Sequence, residues 1–185
     1  VNGITITEDN EKYRKSISYI PESPVLYDEL TLEEHINLTA MAYGLNMKEA
    51  WEKADVLLKL FKLSDKKKFF PVHFSKGMKQ KVMIICSFLV EPNLYIIDEP
   101  FLGLDPIAIN DLINLMCEKR DNGASILMST HILATAEKYC DNFIIIHEGK
   151  ILASGKLSDL RKEFNMPDAS LDEIYLALTT RGKDE

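Results

Sequence analysis

The alternation of apolar and polar positions predicts short buried strands separated by amphipathic helices. Apolar runs that predict strands are residues 4–6, 17–20, 94–97, 124–128, 143–146 and 151–153. The turn sequence Glu148-Gly149-Lys150 joins the last two runs, which predicts a hairpin that closes the sheet. Strands alternating with helices in this order predict an α/β fold.

Helix boundaries are marked by capping residues. Thr31 and Glu34 have capping-box spacing, which predicts a helix start, and Gly44 predicts its end. A second helix follows, and both carry apolar faces at helical spacing: Leu32, Ile36, Ala40 and Tyr43, then Trp51, Ala54, Leu58 and Phe61. Residues 82–90 predict a fully buried helix, with residues 76–81 as its solvated first turns. Further helices are predicted after Pro106 and over residues 157–164 and 171–178, and residues 179–185 form a polar tail.

Two features of the central stretch indicate phosphate chemistry. Ser75 and Gly77 lie at the start of the buried helix, where free backbone N–H groups and the positive end of the helix dipole suit a phosphate. Asp98 and Glu99 end the strand at residues 94–97, at the strand edge where open α/β sheets bind ligands. One carboxylate can hold Mg²⁺ while the other orients or deprotonates a water. Taken alone, Ser75 and Gly77 also fit an ordinary helix cap. Asp98 and Glu99, taken alone, also fit a strand that runs into a turn.

Taken together, these motifs resemble those of the ATP-binding domains of ABC transporters, and the resemblance covers nearly the whole chain. The corresponding motifs are the signature motif (Ser75, Lys76, Gly77, Met78), the Walker B strand ending at Asp98 and Glu99, the D-loop (Gly103, Leu104, Asp105) and the switch His131. Finer motifs resemble the ATP-binding subunits of exporters of Gram-positive bacteria. The resemblance implies a P-loop NTPase-like core with an inserted helical subdomain at about residues 26–74. It also implies a Walker B, D-loop and switch region at residues 93–155 and C-terminal helices at residues 156–185.

The same resemblance implies roles for these residues. ATP lies between two copies paired head to tail, and the signature residues of one copy contact the ATP of the other. Asp98 holds Mg²⁺, Glu99 polarises the attacking water and His131 contacts the γ-phosphate. As a lone residue, His131 also fits a structural or surface histidine. Lys76 and Met78 depart from the commonest signature, which has glycine and glutamine there.

Glu22 occupies the position where the resembling family normally has the Q-loop glutamine. A carboxylate can still ligate Mg²⁺, but it adds negative charge beside the phosphates and cannot donate a hydrogen bond. The alternative is an ordinary glutamate in a surface loop.

Composition limits the partners. Formal net charge is −7, from 29 acidic and 22 basic residues, which disfavours nucleic acid as a partner. The spacing of Cys86, Cys117 and Cys140 fits neither a zinc site nor a disulfide framework. The longest apolar run is too short to span a bilayer, so another chain must span the membrane if the function involves one. The resemblance implies that this other chain is a separate integral membrane transporter subunit. The resemblance then implies an exporter ATPase in the cytoplasm, peripheral to the inner face of the cell membrane.

A phosphate-cradling G-x-x-x-x-G-K-[S/T] loop does not occur in the 185 residues. The sequence therefore predicts a core that lacks its N-terminal strand and P-loop, and a chain that is inactive in ATP hydrolysis on its own. One alternative is a nucleotide-incompetent fragment that only binds the membrane partner. Another is a DNA-repair or translation ATPase, which would bring long coiled coils, a tandem ATPase domain or a basic surface.

Overall fold

Three parallel strands form the sheet of the first of two compact units, residues 1–129. The computed structural model describes residues 1–180, and its second unit starts at Thr130. The strands are β1 (Ile17–Ile20), β2 (Leu94–Asp98) and β3 (Ser125–Ser129), in the order β1-β2-β3. Ile20 pairs with Ile97, and Asp98 pairs with Ser129. Because the strands are parallel, their carboxyl ends meet at one edge of the sheet.

Five helices belong to this unit: α1 (Asn10–Lys15), α2 (Leu32–Tyr43), α3 (Met47–Leu60), α4 (Lys76–Leu89) and α5 (Pro106–Asp121). Short 3-10 turns lie at Ser64–Lys66 and Pro71–His73. The predicted capping box of α2 is present, since Thr31 Oγ1 accepts from the Glu34 N–H and Glu34 Oε2 accepts from the Thr31 N–H. Gly44 ends α2 with a left-handed backbone at φ +69°. The predicted helices of this unit are therefore confirmed.

Helix α4 contacts β1, α2 and α3, and its apolar residues are almost fully buried: Val82, Ile84, Ile85, Phe88 and Leu89. The Phe88 ring stacks on Tyr95 of β2, with ring centroids 4.7 Å apart. Ser18 of β1 donates from its hydroxyl to the Ser87 carbonyl at 3.3 Å. These contacts fix the direction of α4 relative to the carboxyl ends of β1 and β2.

The second unit contains α6 (Leu133–Tyr139), β4 (Phe143–His147), β5 (Lys150–Gly155), α7 (Leu157–Glu163) and α8 (Leu171–Thr180). β4 and β5 form the predicted antiparallel hairpin. Its two-residue turn has positive φ at Glu148 (+47°) and Gly149 (+73°), as a type I′ turn requires. A small core of its own holds the unit together, centred on Phe143, Ile145, Leu160, Leu171 and Ile174.

Several sequence predictions are wrong in detail. Residues 4–6 do not form a strand, because Ile4 and Thr5 lie between two turns. The Ile4 N–H donates to the Val1 carbonyl, and the Thr5 N–H donates to the Glu8 carboxylate. The β4–β5 hairpin is a separate two-stranded sheet and does not extend the parallel one. β3 is not buried: it has one neighbouring strand, and Leu127 is 54% exposed.

Gln80 is a further exception, since it lies in the predicted solvated turns of α4 and yet is fully buried. Part of the predicted polar tail, residues 181–185, lies outside the described residues. The division at residues 26–74, 93–155 and 156–185 stays a prediction. Within residues 1–180, none of the helices combines the length and apolar content needed to cross a bilayer.

Candidate functional site

Two carboxylates lie at the carboxyl end of the central strand. Asp98 is the last residue of β2 and Glu99 follows it, and both are half-buried. Ser129, the register partner of Asp98, donates its hydroxyl to Asp98 Oδ1. The Glu99 N–H donates to both oxygens of Ser129, to the carbonyl at 3.2 Å and to Oγ at 3.3 Å. One serine on β3 therefore fixes the position of both acidic residues.

Glu99 has a left-handed backbone, with φ at +44°. A non-glycine residue in this region carries strain of about 1 kcal/mol or more, and such strain is concentrated at functional sites. Hydrogen bonds on both sides hold this turn in place. The Glu99 N–H bonds to Ser129, and the Glu99 carbonyl accepts from the Leu102 N–H at 3.3 Å. The chain thus leaves the β2 direction at Glu99, at the carboxyl edge of the strands, where open α/β sheets generally bind ligands.

The donor set fits a Mg²⁺ ion held together with a phosphate ligand rather than by protein alone. Within the described part of the chain, no group of three His, Cys, Asp or Glu side chains could hold a metal ion. Asp98 supplies a single carboxylate, oriented by Ser129. Mg²⁺ in nucleotide sites usually takes one or two carboxylates, with phosphate oxygens and water as the other ligands.

The start of α4 presents backbone N–H groups and a positive charge. Ser75 is the N-cap, and its Oγ accepts from the Met78 N–H at 3.3 Å. Ser75 and Lys76 are exposed, while Gly77 and Met78 are half-buried, and the first turn holds no acidic residue. An anion is favoured at such a helix start.

Gly77 and Gly103 make a close backbone contact between α4 and the loop that follows Glu99. A Cβ added at Gly77 would overlap the carbonyl oxygen of Gly103. Gly103 itself has φ +76°, so its backbone favours glycine as well. The sequence motifs gave these residues roles only toward ATP and a second subunit. The structure adds a packing role within the chain, because the close contact leaves no space for a side chain at Gly77.

An ion pair strengthens the same contact. Lys81 Nζ lies 2.8 Å from Asp105 Oδ2, and the Lys81 side chain is only 14% exposed. Asp105 is also the N-cap of α5, since its Oδ1 accepts from the Ala108 N–H at 2.9 Å. The bond from Lys81, followed by the bond from Ala108, lowers the pKa of Asp105 to about 2. Asp105 therefore stays ionised and joins α4 to α5.

The predicted site residues fall into four places. At the start of α4, the signature residues meet the D-loop through the Gly77–Gly103 contact and the Lys81–Asp105 ion pair: Ser75, Lys76, Gly77 and Met78 with Gly103, Leu104 and Asp105. Asp98 ends β2, and Glu99 follows it. Glu22 is exposed, two residues after the end of β1 and thus in a loop that starts at the same sheet edge. His131 is exposed and belongs to the second unit, two residues before α6 begins. Sequence reasoning missed Ser129 and Lys81, although the end of a strand parallel to β2 was a usable signal for Ser129.

Comparisons with known proteins agree on one family. The family model described as ABC transporter matches residues 1–102. The chain is 62% identical over 179 residues to the ABC-type transporter ATP-binding protein EcsA of Bacillus subtilis, covering 97% of this chain and 72% of that protein. It is 44% identical to the uncharacterized ABC transporter ATP-binding protein YthP of B. subtilis, with coverage of 86% and 68%. A solved structure of an ATP-binding subunit of an ABC transporter matches with a TM-score of 0.94 and 57% identity, covering 97% of this chain and 75% of that one. This match confirms the predicted α/β fold.

Proposed function

This chain belongs to the ATP-binding proteins of ABC transporters, and from that membership we propose that it couples ATP hydrolysis to export through a separate membrane subunit. The family identified from the motifs is thereby confirmed. What we propose beyond the family is that the transport is export, that the protein has the partners described below, and that the site residues have the roles described below. The observation that carries it is the strained Glu99 beside Asp98, both tied to Ser129 at the end of the central strand.

In the proposed reaction, Asp98 ligates Mg²⁺ and Glu99 polarises the water that attacks the γ-phosphate. Mg²⁺ would neutralise charge on the phosphates when bound. Ser129 supports this division of work, because its hydroxyl orients one oxygen of Asp98 while its carbonyl and hydroxyl hold the backbone of Glu99. A general base needs such a fixed position relative to its water.

The proposed active unit is a head-to-tail pair of ATP-binding subunits. Ser75, Lys76, Gly77 and Met78 of one copy contact the phosphates of the ATP held by the other copy. The exposed start of α4 supports this contact, since Ser75 and Lys76 are accessible and no acidic residue opposes an anion there. Through the ion pair of Lys81 with Asp105, the signature helix and the D-loop would move as one body.

Glu22 and His131 each have a proposed role toward the nucleotide. Glu22 would bind the Mg²⁺ or its water from the loop after β1, in place of the usual glutamine. His131 would donate to the γ-phosphate. Both side chains are exposed, which supports access to a ligand.

The proposed membrane partner binds the helical block at about residues 26–74, and the protein then lies in the cytoplasm at the inner face of the membrane. Exposed apolar side chains in and just before this block support a docking surface, with Val25 75%, Tyr27 61% and Met41 63% exposed. The transported substrate is a property of the membrane subunit.

A second candidate function is that of a protein that binds the membrane partner and does not bind nucleotide. The exposed apolar side chains at the helical block support this candidate as well. Calorimetry with Mg·ATP separates the two candidates: micromolar binding by the 185-residue chain would exclude the second.

The first candidate is tested in a chimera in which the part of the EcsA protein that the alignment leaves uncovered is joined to this chain. Glu99→Gln should abolish ATP hydrolysis and still form an ATP-bound pair, whereas Asp98→Asn should weaken Mg²⁺-dependent ATP binding. Glu52→Gln, at an exposed position of α3, is the matched control and should hydrolyse ATP at the unchanged rate. Normal hydrolysis by Glu99→Gln would refute the assignment.

A further inference from the structure

His35 of α2 is a buried histidine whose two ring nitrogens both have partners. The residue is only 5% exposed. Nε2 is 3.0 Å from the backbone N of Tyr27, and Nδ1 is 2.8 Å from the carbonyl oxygen of Thr31. Thr31 is the N-cap of α2, and Tyr27 lies in the preceding loop. The ring therefore joins that loop to the start of the helix.

The two partners define the state of the ring. A backbone N–H can only donate, so Nε2 accepts the hydrogen bond from Tyr27. A carbonyl oxygen can only accept, so Nδ1 carries the proton and donates to Thr31. The bonded form is thus the neutral Nδ1–H tautomer.

This contact holds one end of the loop that carries Glu22. The loop leaves β1 after Ile20, which is fully buried and paired with Ile97. Its other end is Tyr27, whose N–H bonds to His35 and whose carbonyl accepts from the Leu30 N–H at 3.2 Å. Residues 21–26 between these ends have no regular secondary structure. The bond to Tyr27 is therefore the anchor on the helical side of the loop.

We propose that His35 is a positioning residue: through its bond to the Tyr27 N–H, it fixes the loop that presents Glu22 to the nucleotide site. The role of Glu22 in this statement rests on the proposed function, while the anchoring of the loop does not. Loss of the acceptor at Nε2 frees Tyr27 and lets residues 21–26 sample other conformations.

Amide hydrogen exchange of the 185-residue chain, followed residue by residue by NMR, tests the anchor. His35→Leu removes the acceptor, and the Tyr27 amide should then exchange about tenfold faster, the ratio expected from one hydrogen bond. The amides of Glu22, Ser23 and Val25 should exchange faster with it. His35→Gln places an acceptor oxygen near the position of Nε2 and should restore rates to within about twofold of wild type.

Two further measurements separate anchoring from a general loss of stability. Ile36→Val lowers the stability of α2 and keeps the His35 acceptor of the Tyr27 N–H, so the amides of residues 22–27 should exchange faster by no more than the amides of α2 do. In the wild type, the ring nitrogens of His35 should give the separate signals of a protonated Nδ1 and an unprotonated Nε2. Equal Tyr27 exchange in wild type and His35→Leu, or failure of His35→Gln to rescue it, would overturn the proposal. These rates need no ATP, so ATP hydrolysis by the chimera remains an independent test of the proposed function.

Discussion

Replacing Gly77 with alanine tests the contact between α4 and the loop after Glu99. Two effects oppose each other in this variant. In a helix interior, alanine is favoured over glycine by about 1 kcal/mol, which is the upper bound for Gly77 in the first turn of α4. Against this, the new Cβ would overlap the Gly103 carbonyl oxygen, and a methyl group has no rotamer by which to avoid it.

The overlap should be the larger effect. Overpacking costs about 1–3 kcal/mol, and the upper end applies because the obstructing atom belongs to the backbone. Subtracting the gain in helix propensity leaves a net destabilisation of about 2 kcal/mol. For a chain of this length that corresponds to a fall of roughly 4–8 °C in the thermal midpoint.

Thermal and urea unfolding monitored by circular dichroism measure this difference. Lys79→Ala is the matched control, two residues further along α4, and should change stability by less than about 0.5 kcal/mol. A Gly77→Ala protein as stable as wild type, or more stable, would show that α4 and the loop do not approach closely.

Three other predictions follow from single contacts. Because the folded pKa of Asp105 is about 2, its ionisation stabilises the fold above roughly pH 4, and this contribution is lost between about pH 4 and 2. Lys81→Met should therefore flatten the pH dependence of urea stability in that window, and an unchanged slope would count against the ion pair. Ser129→Ala in the chimera should raise the Mg²⁺ concentration needed for half-maximal hydrolysis by about 10–100-fold. An unaltered Mg²⁺ titration would contradict the role of Ser129 in orienting Asp98. Thr31→Ala should cost about 1–2 kcal/mol in thermal unfolding while Thr31→Ser costs little; equal midpoints would argue against the capping box.

The sequence predicted the elements well where local signals agree. Thr31, Glu34 and Gly44 bounded α2 because caps are local interactions, and the strand ending at Asp98 followed from a short apolar run. The separate β4–β5 sheet could not be predicted in this way, because a period of two specifies a strand and not its neighbours.

The candidate site shows the same contrast between residues that local signals identify and contacts that depend on packing. Residue types and spacing were enough to single out Ser75, Asp98 and Glu99, since the proposed chemistry depends on them directly. Contacts such as that of Lys81 with Asp105 join residues 24 apart in the chain, and only the packing of α4 brings them together. The burial of Gln80 has the same origin: a polar residue in a polar stretch gave no sign of being enclosed.

The order of the parallel strands has a consequence for how the chain folds. β1 pairs with β2 across 77 positions (94 − 17), whereas β2 pairs with β3 across 31 (125 − 94). Closing the longer loop costs about 0.8 kcal/mol more in chain entropy, so β2, α5 and β3 should associate before β1 joins the sheet. Mutations that weaken β1 should then mainly accelerate unfolding, while mutations in β2 and β3 should slow folding itself.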